Sequence, residues 1–132
     1  MKNVKGRDFL SIRDYTPKEL SHYLDTAMDM KQDPSMYENA LEGKNLAMIF
    51  QKPSLRTRMS FEVGMNQLGG QAQFIGPDEI QLGKREAVKD VAAVLSRYVD
   101  GIMARVFAHD DVIELAEHAD IPVINGLSDL LH

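Results

Sequence analysis

Apolar residues along this chain switch repeatedly between helical spacing and short unbroken runs. Thr16-Pro17-Lys18-Glu19 reads as a capping box with proline at the first helical position, and Leu20, Tyr23, Leu24 and Ala27 follow at helical spacing, which predicts a helix of about 15 residues. Asp33-Pro34 ends it, and a polar connection runs to Lys44. Leu46 to Phe50 is a first strand. Phe61, Gly64, Met65 and Leu68 mark one face of a second helix, closed by Gly69-Gly70 as a left-handed cap, and Gln71 to Ile75 is a short strand. Gly64 within that helix costs roughly 1 kcal/mol against alanine, which implies close packing of the helix on the sheet. Gly76 to Arg85 carries two glycines and a proline without helical period and reads as a surface loop, long enough to be functional. Val88, Val91, Ala92 and Leu95 define a third helix, and Gly101 to Val106 a buried strand with Arg105 near its end. Val112, Leu115, Ala116 and Ala119 give a fourth helix, Ile121 to Ile124 the last strand, and Asn125-Gly126 a closing turn.

Strands alternating with helices of about 10 to 12 residues imply an α/β fold, a three-layer sandwich whose mainly parallel four-stranded sheet carries helices on both faces. In such sheets ligands bind beyond the carboxyl ends of the strands, near the point where strand order reverses. Three groups fall at such ends: Ser54 to Thr57, Arg105 and His132.

The first group belongs to the turn Gln51-Lys52-Pro53-Ser54-Leu55-Arg56-Thr57-Arg58. Pro53 holds Lys52 extended and stops the strand, while Ser54 is a good N-cap, which leaves the N–H groups of Leu55, Arg56 and Thr57 without intrahelical partners. Those donors, the positive end of the helix dipole, the Ser54 and Thr57 hydroxyls and the Arg56 guanidinium can converge on one small anion. Arg58 points elsewhere, with Glu62 four residues on as an ion-pair partner. Capping alone would explain Ser54 and Thr57 equally well on local sequence, and an arginine at a strand end can be merely snorkelling or ion-paired.

With 132 residues and 44% hydrophobic composition the chain forms one domain with a real core. Fifteen basic against twenty acidic residues give a net charge of −5, and no basic run occurs, which argues against nucleic acid or an anionic membrane as partner. Cysteine is absent, which suits a reducing compartment and removes thiolate chemistry. Met1 to Gly6 leads into no long apolar run, and no stretch of about 18 apolar residues occurs, so a soluble cytoplasmic protein is the expectation. There is no G-x-x-x-x-G-K-[ST], G-x-G-x-x-G or G-x-S-x-G, and no histidine pair at metal-ligand spacing. No metal and no cofactor are expected. His22, His109 and His118 receive no chemistry, and the eight methionines read as core filler.

Pro53-Ser54-Leu55-Arg56-Thr57-Arg58 followed by Ser60-Phe61-Glu62 resembles the aspartate/ornithine carbamoyltransferase family, whose signature is S-[TL]-R-T-R before S-F-E. Ile80-Gln81-Leu82-Gly83 with Glu86 and Asp90, Met103-Ala104-Arg105-Val106, and Asn125-Gly126-Leu127-Ser128-Asp129-Leu130 ending in His132 are similar to its ornithine branch. The resemblance makes residues 1–132 the amino-terminal carbamoyl-phosphate domain and implies that a second, ornithine-binding domain is absent from this chain. It also implies that Ser54, Leu55, Arg56 and Thr57 hold the phosphate, that Arg105 and His132 contact the carbamoyl and phosphate oxygens, and that Gln81 reaches an adjacent subunit's site in a homotrimer. Arg56, Thr57, Arg105 and His132 are then the catalytic set for transfer of the carbamoyl group to the δ-amine of L-ornithine, giving citrulline and phosphate. Leu55 departs from the commoner threonine, mildly if that position contributes its amide. The isolated chain would be inactive by itself. A stand-alone phosphate- or carbamoyl-phosphate-binding module, a trimer-forming module, and a transferase acting on putrescine, acylated ornithine or aspartate are the alternatives.

Overall fold

A computed structural model describes residues 4–132; Met1, Lys2 and Asn3, part of the amino-terminal stretch read above as leading into no apolar run, lie outside them. Four strands, β1 (Asn45–Phe50), β2 (Gln71–Ile75), β3 (Gly101–Arg105) and β4 (Val123–Leu127), form one sheet in the order β2-β1-β3-β4. Every pairing is parallel, so the expected mainly parallel sheet is wholly so. The helices are α1 (Pro17–Gln32), α2 (Leu55–Gln67), α3 (Val88–Tyr98) and α4 (His109–His118).

Strand order explains the layering. From β1 the chain moves one way to β2, then returns past β1 to β3 and on to β4, and right-handed crossovers in opposite directions must lie on opposite faces. The core divides accordingly. Leu46, Met48, Phe50 and Met103 pack with Phe61 and Met65 of α2, while Ile49, Ile102, Ala104 and Val123 pack with Val88, Val91 and Ala92 of α3 and Val112 and Leu115 of α4. Successive β1 residues alternate between these clusters, as the two-residue period of a strand requires. Met48, Ile49 and Phe50 are at most 2% exposed, and burying such side chains contributes roughly 1.5–3 kcal/mol each.

The predicted capping box is formed at α1. The Glu19 N–H donates to Thr16 Oγ1 (3.1 Å) and the Thr16 N–H to Glu19 Oε1 (2.9 Å). That second bond lowers the pKa of Glu19 more than burial raises it, and Arg7, paired with the same carboxylate, lowers it further. Tyr15 stacks on Phe9 and Tyr23 meets it edge-on, and the Phe9 backbone pairs with β4 through Phe9 N–H to Val123 O (2.8 Å) and Asn125 N–H to Phe9 O (2.8 Å). The apolar stripe of α1 is only partly covered by the described residues: Tyr23 packs on Phe9, but Leu24 is 67% and Met28 61% exposed. Methionine is therefore core filler at Met48 and Met103 but not at Met28 or Met36. Among the described residues no helix is long and apolar enough to cross a membrane.

Three local readings are corrected. The last strand is Val123–Leu127 rather than 121–124, and Asn125-Gly126 lies within it instead of turning, because Asn125 is buried and its side chain is fully bonded. The 76–85 loop is not wholly superficial: Leu82 is buried in the core beneath a tight turn closed by Gly83 N–H to Glu86 O (2.8 Å). Gly64 does not touch the sheet. It opens on a groove of about 580 Å³ between α1 and α2, lined by Met30, Pro34, Tyr37 and Leu68, and a Cβ there would meet nothing.

Gly64→Ala should therefore raise stability by about 0.5–1 kcal/mol through helix propensity alone. Gly69, at φ +87 with a Cβ position 2.7 Å from the Glu38 carbonyl oxygen, is the contrast: Gly69→Ala should cost about 1–2 kcal/mol or more. Urea denaturation of both variants checks the pair.

Candidate functional site

Strand order reverses between β1 and β3, and the predicted residues Ser54, Leu55, Arg56, Thr57 and Arg105 gather at their carboxyl ends. Ser54, extended at φ −160, caps α2: the Thr57 N–H donates to Ser54 Oγ over a long 3.4 Å, and Ser54 Oγ lies 3.0 Å from Thr57 Oγ1. The N–H groups of Leu55 and Arg56 have no acceptor among the described residues. Leu55 is 74% exposed, and Arg56 is exposed beside it. The helix thus presents open donors at its positive end.

Arg105 reaches this point from β3. Parallel register sets it opposite Phe50, and the Gln51 N–H donates to its carbonyl (2.9 Å). Its Nη1 donates to Thr57 Oγ1 (3.1 Å) and to the Gly126 carbonyl (3.2 Å), while its Nε is buried without a partner. The Gly126 carbonyl is available because β4 carries one extra residue there: Asn125 pairs with Ala104 and Leu127 with Arg105, leaving Gly126 between. A Cβ at Gly126 would come within 2.5 Å of Met103 Sδ. Leu127 pays for the irregularity with φ 137, a region disfavoured for any side-chain-bearing residue. Asn125 holds it there, accepting from the Leu127 N–H (3.0 Å) and donating to the Leu10 (3.1 Å) and Leu131 (3.3 Å) carbonyls.

Ser54, Thr57 and Arg105 thus form one hydrogen-bonded group with Leu55 and Arg56 beside it. Gln81 and His132 are exposed and are not joined to it; the Gln81 carbonyl instead accepts from the Lys84 (2.8 Å) and Arg85 (2.9 Å) N–H groups of its own loop. Arg58 turns away as expected, pairing with Glu62 (3.1 Å) and stacking 4.0 Å over the Phe74 ring. Arg105 is not the ion-paired arginine of the bland reading: none of the salt bridges among the described residues includes it or Arg56.

Two supporting residues had no role in the sequence reading. Gln51 lay inside the motif; its Oε1 accepts the Phe107 N–H (2.7 Å) and its Nε2 lies 3.5 Å from the Leu82 carbonyl, which links the ends of β1 and β3 to the loop. Asn125 was read only as a turn former. The contacts of Gln51 with Phe107 and Leu82 and of Asn125 with Leu10 join distant parts of the chain and leave no local signal. Burial, followed by the charges of Glu114, Asp110 and Asp129, raises the pKa of Asp111 near the start of α4. Among the described residues no group of three or more His, Asp or Glu side chains is arranged to hold a metal.

A guanidinium with an unused buried N–H, two free amides and two hydroxyls suit a small oxyanion. Residues 7–132 match the family model for the aspartate/ornithine carbamoyltransferase carbamoyl-P binding domain. The chain is 55% identical over 132 residues to the ornithine carbamoyltransferase of Pyrococcus horikoshii, covering 98% of this chain and 42% of that protein. Among solved structures it is similar to ornithine carbamoyltransferase from Pyrococcus furiosus (TM-score 0.93, 52% identity, 97% of this chain and 42% of that one). It is also similar to the anabolic ornithine carbamoyltransferase of Campylobacter jejuni (TM-score 0.88, 41% identity, 92% and 39%). The chain therefore spans about two fifths of the length of these relatives.

Asn125→Ala should destabilise the chain by about 1–3 kcal/mol, since the Leu127 N–H and the Leu10 carbonyl would lose the Asn125 side chain as partner and the Leu131 carbonyl one of its three donors. Chemical denaturation measures it, and an unchanged midpoint would contradict the role given to Asn125.

Proposed function

Because this chain belongs to the aspartate/ornithine carbamoyltransferase family, matching its carbamoyl-P binding domain, we propose that it holds carbamoyl phosphate for transfer of the carbamoyl group to the δ-amine of L-ornithine. The observation that carries this is Arg105 meeting Thr57 at the open amino end of α2, between the strands where order reverses. In this reading Ser54, Leu55, Arg56 and Thr57 bind the phosphate, the last three through free or weakly held amides and Arg56 through its charge. Arg105 and His132 face the carbamoyl oxygen.

No protein nucleophile is required. The neutral δ-amine attacks the carbamoyl carbon and the carbonyl electron pair moves onto oxygen, where Thr57, Arg105 and His132 act as donors. Collapse of the tetrahedral intermediate breaks the bond to phosphate and leaves citrulline, with one amine proton released to phosphate or water. Catalysis is then positioning and charge stabilisation, in which one such donor is typically worth roughly 10²–10³ in rate. In the same proposal ornithine is held by a second domain outside these 132 residues. As part of the same proposal the whole protein works in the cytoplasm as a homotrimer, with Gln81 reaching a neighbouring subunit's site.

Calorimetric titration of this chain with carbamoyl phosphate tests the reading. Arg56→Ala should weaken binding by about 10- to 100-fold, the range for a lost charged hydrogen bond, and unchanged affinity would overturn the phosphate assignment. Citrulline formation on adding, in trans, the remaining part of a full-length relative is the corresponding test of turnover.

A further inference from the structure

His109, the first residue of α4, is bonded twice to the segment that follows β4. Ala108 gives α4 no side-chain cap; the His109 N–H donates instead to Asp129 Oδ1 (2.8 Å), twenty residues on. Its Nδ1 lies 2.8 Å from Ser128 Oγ. Ser128 in turn is the centre of the turn that ends at Leu131: its Oγ accepts the Leu131 N–H (3.1 Å) and lies 2.9 Å from the Leu131 carbonyl, to which its own N–H also donates (2.8 Å). Ser128 is 5% exposed, so water does not readily replace these contacts. Asp129 N–H to Phe107 O (2.8 Å) is a third tie between the same two segments.

The turn held in this way follows directly on the end of β4, where the Gly126 carbonyl accepts from Arg105 and Leu127 is strained, and it leads to His132. We infer that His109 is a positioning residue for Arg105. Its imidazole fixes Ser128, Ser128 fixes the turn, and the turn keeps the Gly126 carbonyl where it restrains the Arg105 guanidinium against Thr57. The ligand used to test this rests on the carbamoyl-phosphate reading above, but the linkage itself does not. Of the bonds made by His109, that from its backbone to Asp129 survives any side-chain change, so only the Nδ1 contact to Ser128 is removed by substitution. Asparagine can present an amide near the position of Nδ1; leucine cannot.

The test compares His109→Asn, His109→Leu and Ser128→Ala in the whole chain by calorimetric titration with carbamoyl phosphate, and by the Arg105 Nε–H resonance, which is buried and unpartnered. His109→Leu and Ser128→Ala should each weaken binding about 5- to 10-fold and shift that resonance, their combination should be no weaker than either alone, and His109→Asn should stay within about twofold of the parent. Ser128→Ala carries the test if His109→Leu does not fold. Parental affinity and resonance in both, or equal loss in His109→Asn and His109→Leu, would overturn the inference. If the parent chain itself does not bind carbamoyl phosphate, the functional reading fails instead, and the resonance alone decides on His109: a shift in His109→Leu that is absent in His109→Asn supports it, and no shift overturns it.

Discussion

The site depends on the parallel pairing of β1 with β3, whose register sets Arg105 opposite Phe50. Both strands are central and their middle residues are almost fully buried, so a one-residue slip would turn each apolar side chain to the wrong face and is strongly opposed. The register therefore fixes where the Arg105 guanidinium emerges. Pro53 and Ser54 end β1 and start α2 within a few residues, which brings Thr57 to the same point. Gln51 closes the arrangement, bonded by its backbone to Arg105 and by its side chain to Phe107.

Arg105 is held by a hydroxyl and a carbonyl rather than by a carboxylate. The difference matters in a chain of net charge −5. Neutral acceptors orient the guanidinium without cancelling its charge, and Arg56 is left without an ion pair as well, while Arg58 is neutralised by Glu62. The sequence Arg56-Thr57-Arg58 thus divides into one cation open to an anion and one used in packing. The cost of the arrangement falls on β4, where the extra residue at Gly126 and the unfavourable backbone of Leu127 are compensated by the bonds of Asn125.

Much of this was legible before the fold. Helix starts with side-chain caps, at Thr16 and Ser54, were found because a cap is a local event of a few residues. The four strands and the presence of helices on both faces of the sheet followed from periodicity and the alternation of elements, whereas the side taken by each helix needed the strand order. Ser54, Thr57 and Arg105 were legible as neighbours because strand ends in such sheets converge. What failed was non-local. Asn125-Gly126 has the composition of a turn, but burial and bonds to Leu10 and Leu131 override it. Leu82 looked like loop because two glycines flank it, whereas the core needs its side chain. A Cβ at Gly64 would meet nothing, so its cost was misread as evidence of packing. His109 carries no pattern that would distinguish it from His22 or His118; only the return of the chain after β4 gives it partners. Gln81 and His132 stand on family resemblance, since neither shares a bond with the Arg105 group.

The most direct measurement is a crystal structure of this chain with carbamoyl phosphate. The account predicts phosphate oxygens about 2.7–3.2 Å from the N–H groups of Arg56 and Thr57, with the carbamoyl oxygen against Arg105. Carbamoyl phosphate bound elsewhere, for instance on the basic Lys84-Arg85 loop, with the amino end of α2 open, would contradict it.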